Sequence, residues 1–326
     1  MQRYKSARFI LTRNCSYNCY YCHNEGAGKG DDFDNNNKLD INDFKFLSEI
    51  LVDEFGLEKI TFTGGDPFLF KGVEQLAHNL SHKGVRVKAI TRGAPLLPLI
   101  ENNVIKKDDF DHICFSIDTL IPSKFSEITR VDERLLQKGI TALKKTIELG
   151  IPARIHVVVQ KENYDGKDII SILDFASENN VDSVKMYEIM DPGKIKEPYL
   201  EDILTEINIL PKELTPKKLA VRYHFPYKNT TITPTRCLCN LAIFNQTCPC
   251  TGQSLMFDPQ GRVNTCLFWD VHTNPYRIEL FEEIKAKDKN AIIEKLHKYQ
   301  QHKCPLLMTK EERENKNAGL ELGGYH

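Results

Sequence analysis

Little of one charge sign is left over in this chain of 326 residues: 44 Lys and Arg stand against 45 Asp and Glu, a net charge of −1. Without an excess of either sign there is no global case for a nucleic-acid partner or for adsorption to a membrane surface. Long apolar runs are missing too. No stretch of 18 apolar residues occurs and the N-terminus lacks a signal-type apolar core, so neither a membrane span nor secretion is expected. No internal repeat or low-complexity tract stands out. The length suits one large domain with an appendage, or two modest domains. Cysteine, in contrast, is plentiful. Ten cysteines clustered at two places point to metal sites rather than a disulfide framework, and to a reducing cytoplasm.

The first cluster is Cys15, Cys19 and Cys22, a C-x3-C-x2-C loop directly after the apolar run Ala7–Thr12. Three thiolates hold three irons of a [4Fe–4S] cube and leave the fourth open, whereas four would close every iron. An open metal position is where chemistry happens. Zinc fits poorly, because it prefers four ligands in paired C-x2-C spacing and the nearest fourth donor is His23. Structural burial fits poorly as well, since the loop around these thiols is polar.

From residue 7 to about 190, short β-branched runs alternate with helical patterns. The runs Ala7–Thr12, Lys59–Thr63, Arg86–Thr91, His112–Ile117, Arg154–Gln160 and Ser183–Glu188 read as strands. Between them Ile41–Phe55 (capped by Asp40), Gly72–Lys83, Glu133–Leu149 and Gly166–Asn179 read as helices. Six strand-then-helix units imply a parallel sheet. Polar and glycine-rich signatures follow the strands, on the rim where barrel enzymes place their chemistry. After residue 190 the alternation fades, and a last helix is expected near Ala286–Tyr299.

Several motifs add to the cysteine loop. Gly64-Gly65-Asp66-Pro67 follows a strand, and paired glycines let a ligand approach the backbone and offer unobstructed amides. A plain turn, with Asp66 as a helix cap, is the competing reading. Ser116 and Asp118 end another strand. The second cysteine group is Cys237, Cys239, Cys248, Cys250 and Cys266, the last placed after the turn Asp258–Gly261. It reads as a further iron–sulfur centre, with structural zinc as the alternative. Basic residues on or near the rim, Arg8, Arg13, Lys59, Arg92 and Arg154, suit a phosphate or carboxylate.

The cysteine spacing, with aromatic Tyr21 before the third thiol, is that of the radical S-adenosylmethionine (SAM) superfamily. Within it the chain resembles the GTP 3′,8-cyclase family of molybdenum cofactor biosynthesis. The likeness runs through Cys22–Gly26, Ser116–Pro122, His156–Val159, Tyr187–Met190, Cys266–Phe268 and the late pair Gly323-Gly324. It implies an α/β fold, a partial (β/α)6 TIM-type barrel over residues 1–195, followed by an auxiliary-cluster region over 196–326. It also implies a [4Fe–4S] cluster on Cys15, Cys19 and Cys22 that binds SAM and releases a 5′-deoxyadenosyl radical. SAM would be held by Tyr21, Gly64, Gly65, Asp66, Thr91 and Ser116. An auxiliary [4Fe–4S] cluster would draw on Cys239, Cys248, Cys250 and Cys266. Arg8, Lys59 and Arg154 would bind a nucleotide or other small polar substrate, and flavodoxin or ferredoxin would supply electrons. Three departures stand out. Thr61 occupies the place of a family arginine, Cys250 is followed by Thr251–Met256 without arginine, and Tyr325-His326 extend past the glycine pair. Arginines that grip GTP are thus missing, and buried polar contacts are where substrates are told apart. The alternatives are a peptide-modifying radical SAM maturase and a non-enzymatic iron–sulfur or zinc protein.

Overall fold

The computed structural model describes residues 4–22, 38–189, 200–209, 224–235, 254–264 and 277–299. In chain order the elements are β1 (Ser6–Thr12), α1 (Ile41–Phe55), β2 (Lys59–Gly64), α2 (Val73–His82), β3 (Arg86–Thr91), α3 (Leu97–Glu101), β4 (His112–Ser116), α4 (Pro122–Thr129), α5 (Arg134–Glu148), β5 (Ala153–Val159), α6 (Gly166–Glu178) and β6 (Ser183–Glu188). Then come α7 (Leu200–Glu206), β7 (Phe225–Tyr227), β8 (Thr230–Thr235), β9 (Ser254–Phe257), β10 (Arg262–Asn264), β11 (Ile278–Glu279), α8 (Phe281–Lys285) and α9 (Lys289–Lys298).

β1 to β6 lie side by side in chain order and every adjacent pair is parallel. This is the parallel sheet expected from the alternation, in the partial (β/α)6 TIM-type barrel that the resemblance implied. The sheet continues beyond it at both ends. β8 adds parallel to β6 with β7 antiparallel beside it, and β9 adds parallel to β1 with β10 and β11 following antiparallel. Strands from the C-terminal third therefore belong to the same sheet as the cysteine-bearing strand.

Each helix forms for local reasons. In α1 the Asp40 carboxylate accepts from the Asn42 and Asp43 amides, Asp43 returns a bond to the Asp40 amide, and Gly56 closes the helix at φ 68°. Such a capping box satisfies amides that have no partner within the helix. Phe44, Leu47, Leu51 and Phe55, at helical spacing, are fully buried against the sheet. Each contributes roughly 1.5–3 kcal/mol by leaving water. Alternation in the strands does the rest: Phe9, Ile60, Phe62, Val87, Ala89, Phe115, Ile155 and Val184 join the same core as the helices. The other face of each strand therefore turns into the barrel interior.

The helix expected near Ala286–Tyr299 is α9, Lys289–Lys298; it starts three residues later because Lys287, following α8, takes the left-handed conformation, φ 57°. Asp288 then caps α9 through the Ala291 amide. The turn at Asp258–Gly261 is a hairpin between β9 and β10, with Gly261 at φ 72°. Cys266, which follows it, lies outside the described residues, as do Cys237, Cys239, Cys248, Cys250 and the Gly323-Gly324 pair.

Candidate active site

Segment 13–22 leaves the C-terminal end of β1 and carries Cys15, Cys19 and Cys22, the first exposed and the others half-buried. Backbone bonds fix it on two sides. The Gly65 amide donates to the Thr12 carbonyl (2.7 Å) and the Asp66 amide to the Asn14 carbonyl (2.8 Å). On the other side the Asn18 and Tyr20 amides donate to the Thr129 and Ile128 carbonyls at the end of α4 (3.0 and 3.2 Å). Tyr17 inserts between these anchors, its ring edge-on to Phe125 at 6.2 Å in a small apolar cluster with Leu136.

The glycine pair serves this loop. A Cβ on Gly64 would stand 2.2 Å from the Thr12 carbonyl oxygen, and one on Gly65 would stand 2.1 Å from that of Asn14. Gly64 also has φ 141°, which side chains rarely adopt. The sequence pointed to a ligand approaching this turn and to free amides. What approaches is the backbone of the cysteine segment, and the Gly65 and Asp66 amides are already used by it.

Asp66 is buried and caps a short 3-10 turn, Pro67–Leu69, through the Phe68 amide (3.1 Å). Its other oxygen accepts from the Thr91 hydroxyl (2.6 Å) and the Arg92 amide (3.3 Å). Burial nevertheless pushes its carboxyl up to about 6. Thr91 thus meets Asp66 at the ends of β2 and β3.

Arg92 joins the loop to the remaining strands. Its guanidinium donates to the Tyr21 hydroxyl (2.6 Å), to Asp118 (2.7 Å) and to the Ser116 carbonyl (3.2 Å), and lies over the Tyr17 ring. Tyr21 in turn donates to Asp118 (2.6 Å). The second Asp118 oxygen accepts from the Val158 amide (2.9 Å), and Asn163 donates to the Asp118 and Val158 carbonyls. Asp118 is therefore a buried counter-ion to Arg92, and Ile121 stands at the cap of α4. Arg92 also lies beside Cys19, where its charge lowers the thiol pKa that partial burial raises.

Of the five basic residues expected on the rim, Arg13 and Arg92 are there. Lys59 is exposed as the first residue of β2, at the end of the strand opposite Gly64, while Arg8 and Arg154 face the barrel interior lower down. Sequence position before a motif did not tell rim from floor, because a strand of six residues carries its first residue far from its last.

The floor holds more than was expected of it. Alternation and register place Arg8 beside Thr61, Thr61 beside Lys88, Lys88 beside His112, Cys114 beside Arg154, and His156 beside Lys185. Arg154 donates to Asp182 (2.7 Å) and to the Nε2 of His112 (3.3 Å), whose Nδ1 bonds Asp111 (2.8 Å). Burial, then Lys88 and Arg154, bring His112 down to about 4. Burial and Arg154 lower Lys88 as well. Cys114 is pushed up to about 11 by burial, against the pull of Arg154, Lys88, Lys185 and Arg8. The signal was present in the sequence: polar residues at alternate positions of strands that a two-sided parallel sheet should bury.

Residues 9–176 match the Radical SAM superfamily. The chain belongs to the radical SAM superfamily. The GTP 3′,8-cyclase of Clostridium perfringens is 27% identical over 331 residues, covering 97% of this chain and 96% of that protein. Among solved structures, Streptococcus suis SuiB superposes with a TM-score of 0.62 at 16% identity, covering 86% of this chain. This chain spans 64% of SuiB's length. Native anSMEcpe with bound AdoMet gives 0.53 at 16% identity, over 90% of this chain and 82% of that one. These likenesses establish the shared barrel.

For a radical SAM protein the donor set on the loop fits an iron–sulfur cluster. A single ion needs its donors gathered about one point. No three His, Cys, Asp or Glu side chains are so gathered among the described residues. A cluster instead takes each of the three thiolates on a different iron.

Proposed function

We propose that this radical SAM enzyme acts on a small anionic, nucleotide-like substrate, starting a cyclisation or rearrangement as GTP 3′,8-cyclases do. The basic interior beneath the cysteine loop is the observation that carries this reading. Likeness to a GTP 3′,8-cyclase over nearly the whole chain supports it. Cys15, Cys19 and Cys22 would hold the [4Fe–4S] cluster, with Tyr21, Gly64, Gly65, Asp66, Thr91 and Ser116 around the SAM that binds to it. Bound together, cluster and SAM would supply one-electron reductive chemistry for starting hydrogen abstraction.

The protein's own part is positional. The glycine turn and the end of α4 hold the thiols, and the Tyr21–Arg92–Asp118 contacts tie them to β3, β4 and β5. Arg8, Arg154 and Lys59 would orient the anionic end of the substrate from below. Lys88, the register partner of Thr61, would replace the cation that the family carries at that position. Cys239, Cys248, Cys250 and Cys266 would hold an auxiliary cluster within the C-terminal region 196–326. A low-potential donor such as flavodoxin or ferredoxin in the cytoplasm would reduce the enzyme.

The test is anaerobic. The reconstituted protein is given SAM, a strong reductant and GTP, and 5′-deoxyadenosine and GTP are followed by mass spectrometry. Matching loss of GTP and gain of 5′-deoxyadenosine is the expected result. Slow SAM cleavage with GTP untouched would move the substrate elsewhere, and a peptide would be tried next.

A further inference from the structure

The floor contains a histidine that the motifs leave unassigned. His156 lies on the interior face of β5, in register with Ser116 on β4 and Lys185 on β6. Its ring stands at 77° to that of Tyr187, the ring centres 5.3 Å apart. The charged and titratable groups acting on it come from four strands: Arg8 on β1, His112 on β4, Arg154 on β5 and Lys185 on β6. Arg8, Arg154 and Lys185 also act on Cys114, together with Lys88, so one cluster of cations surrounds both side chains. Two carboxylates, Asp111 and Asp182, bond His112 and Arg154.

Cations gathered in a partly dry interior repel one another, and the titratable member of such a set gives up its proton first. Burial and these neighbours hold His156 well below its ordinary value. A multiply charged anion set among the cations reverses the sign of the local field. Neutral imidazole can then accept a proton and add one more charged hydrogen bond to the anion.

We infer that His156 is a substrate-binding residue that takes up a proton as the phosphate-bearing end of the substrate docks among Arg8, Lys88, Arg154 and Lys185. This rests on the anionic substrate read above and adds how the site answers it. The proton comes from solvent and no electron moves. Binding is then linked to pH. Over the range where the proton is taken up, affinity tightens by up to about tenfold for each pH unit lowered.

The probe is inorganic triphosphate, titrated calorimetrically into the reconstituted full chain without SAM. Two buffers of different ionisation enthalpy are used at one pH. The unmodified protein is expected to bind triphosphate with net proton uptake. His156→Asn should bind about tenfold more weakly and take up close to one proton fewer; protons exchanged by triphosphate itself cancel in that difference. Lys88→Met should bind more weakly while keeping the uptake. The pH dependence of triphosphate affinity in the unmodified chain gives the same answer without any variant. Absence of triphosphate binding, an affinity that does not change with pH, or unchanged uptake in His156→Asn would overturn the inference. If GTP is still consumed with matching 5′-deoxyadenosine in that event, the anionic-substrate reading stands and this one alone fails.

Discussion

Gly65→Ala tests whether the glycine turn exists for the cysteine loop or for a ligand. The added methyl would stand 2.1 Å from the Asn14 carbonyl oxygen and 2.5 Å from that of Arg13. Both are backbone atoms, so no side chain can swing aside. Relief requires the segment 12–14 to move by about 1 Å, and overpacking of this kind costs about 1–3 kcal/mol. The same movement lengthens the Gly65–Thr12 and Asp66–Asn14 hydrogen bonds, each contributing about 0.5–1.5 kcal/mol. A loss of about 2–6 kcal/mol follows, a fall in Tm on the order of 3–9 °C for a chain of this length. The thiols shift with the segment, so iron bound after reconstitution should fall as well. Thermal melting and iron analysis, run on the same preparations, check both. If Gly65→Ala kept the parent Tm and iron content and lost only SAM affinity, the turn would exist for ligand approach and the close-packing account would be refuted.

Asp118→Ala should destabilise the protein by about 3–5 kcal/mol in denaturant unfolding, because it leaves the Arg92 charge buried and removes the acceptor of Tyr21. Restoring charge balance with Arg92→Met in the same chain should recover part of that loss. His112 predicts a pH effect of defined sign. Its folded value, about 4, lies below the ordinary 6.5, so its contribution is present above pH 6.5 and is lost as pH falls through 4. That contribution amounts to about 3 kcal/mol. The Tm of His112→Gln should therefore decline less than that of the parent between pH 7 and 4; parallel declines would show that His112 is protonated at little cost.

The strands were legible because their period of two is written in the residues, and their limits in the structure shift by about one residue from those the sequence indicated. The cysteine loop and its neighbours on the rim were legible for a related reason: glycine, aspartate and threonine recur just after strands. What Gly64 and Gly65 do was not, since only the folded chain shows Thr12 and Asn14 lying against them. Arg92 and Asp118 were visible as polar residues, yet their pairing joins two different strand ends. The floor was misplaced for want of depth. Lys59 and Arg154 sit near motifs in sequence but at the far end of their strands. At α9 a local signal was passed over, the cap Asp288, which sets the helix start three residues after Ala286.

The position of β1 within the sheet bears on how the chain matures. This strand is flanked by β2 on one side and by β9, formed by residues 254–257, on the other. During synthesis β1 emerges first, yet its second neighbour is translated some two hundred residues later than β2. Until then one edge of the strand that launches the cysteines is bare, and such an edge invites pairing with other chains. Insertion of iron and sulfide is therefore best timed after most of the polypeptide has left the ribosome, when both edges of β1 are covered and the thiols can no longer drift.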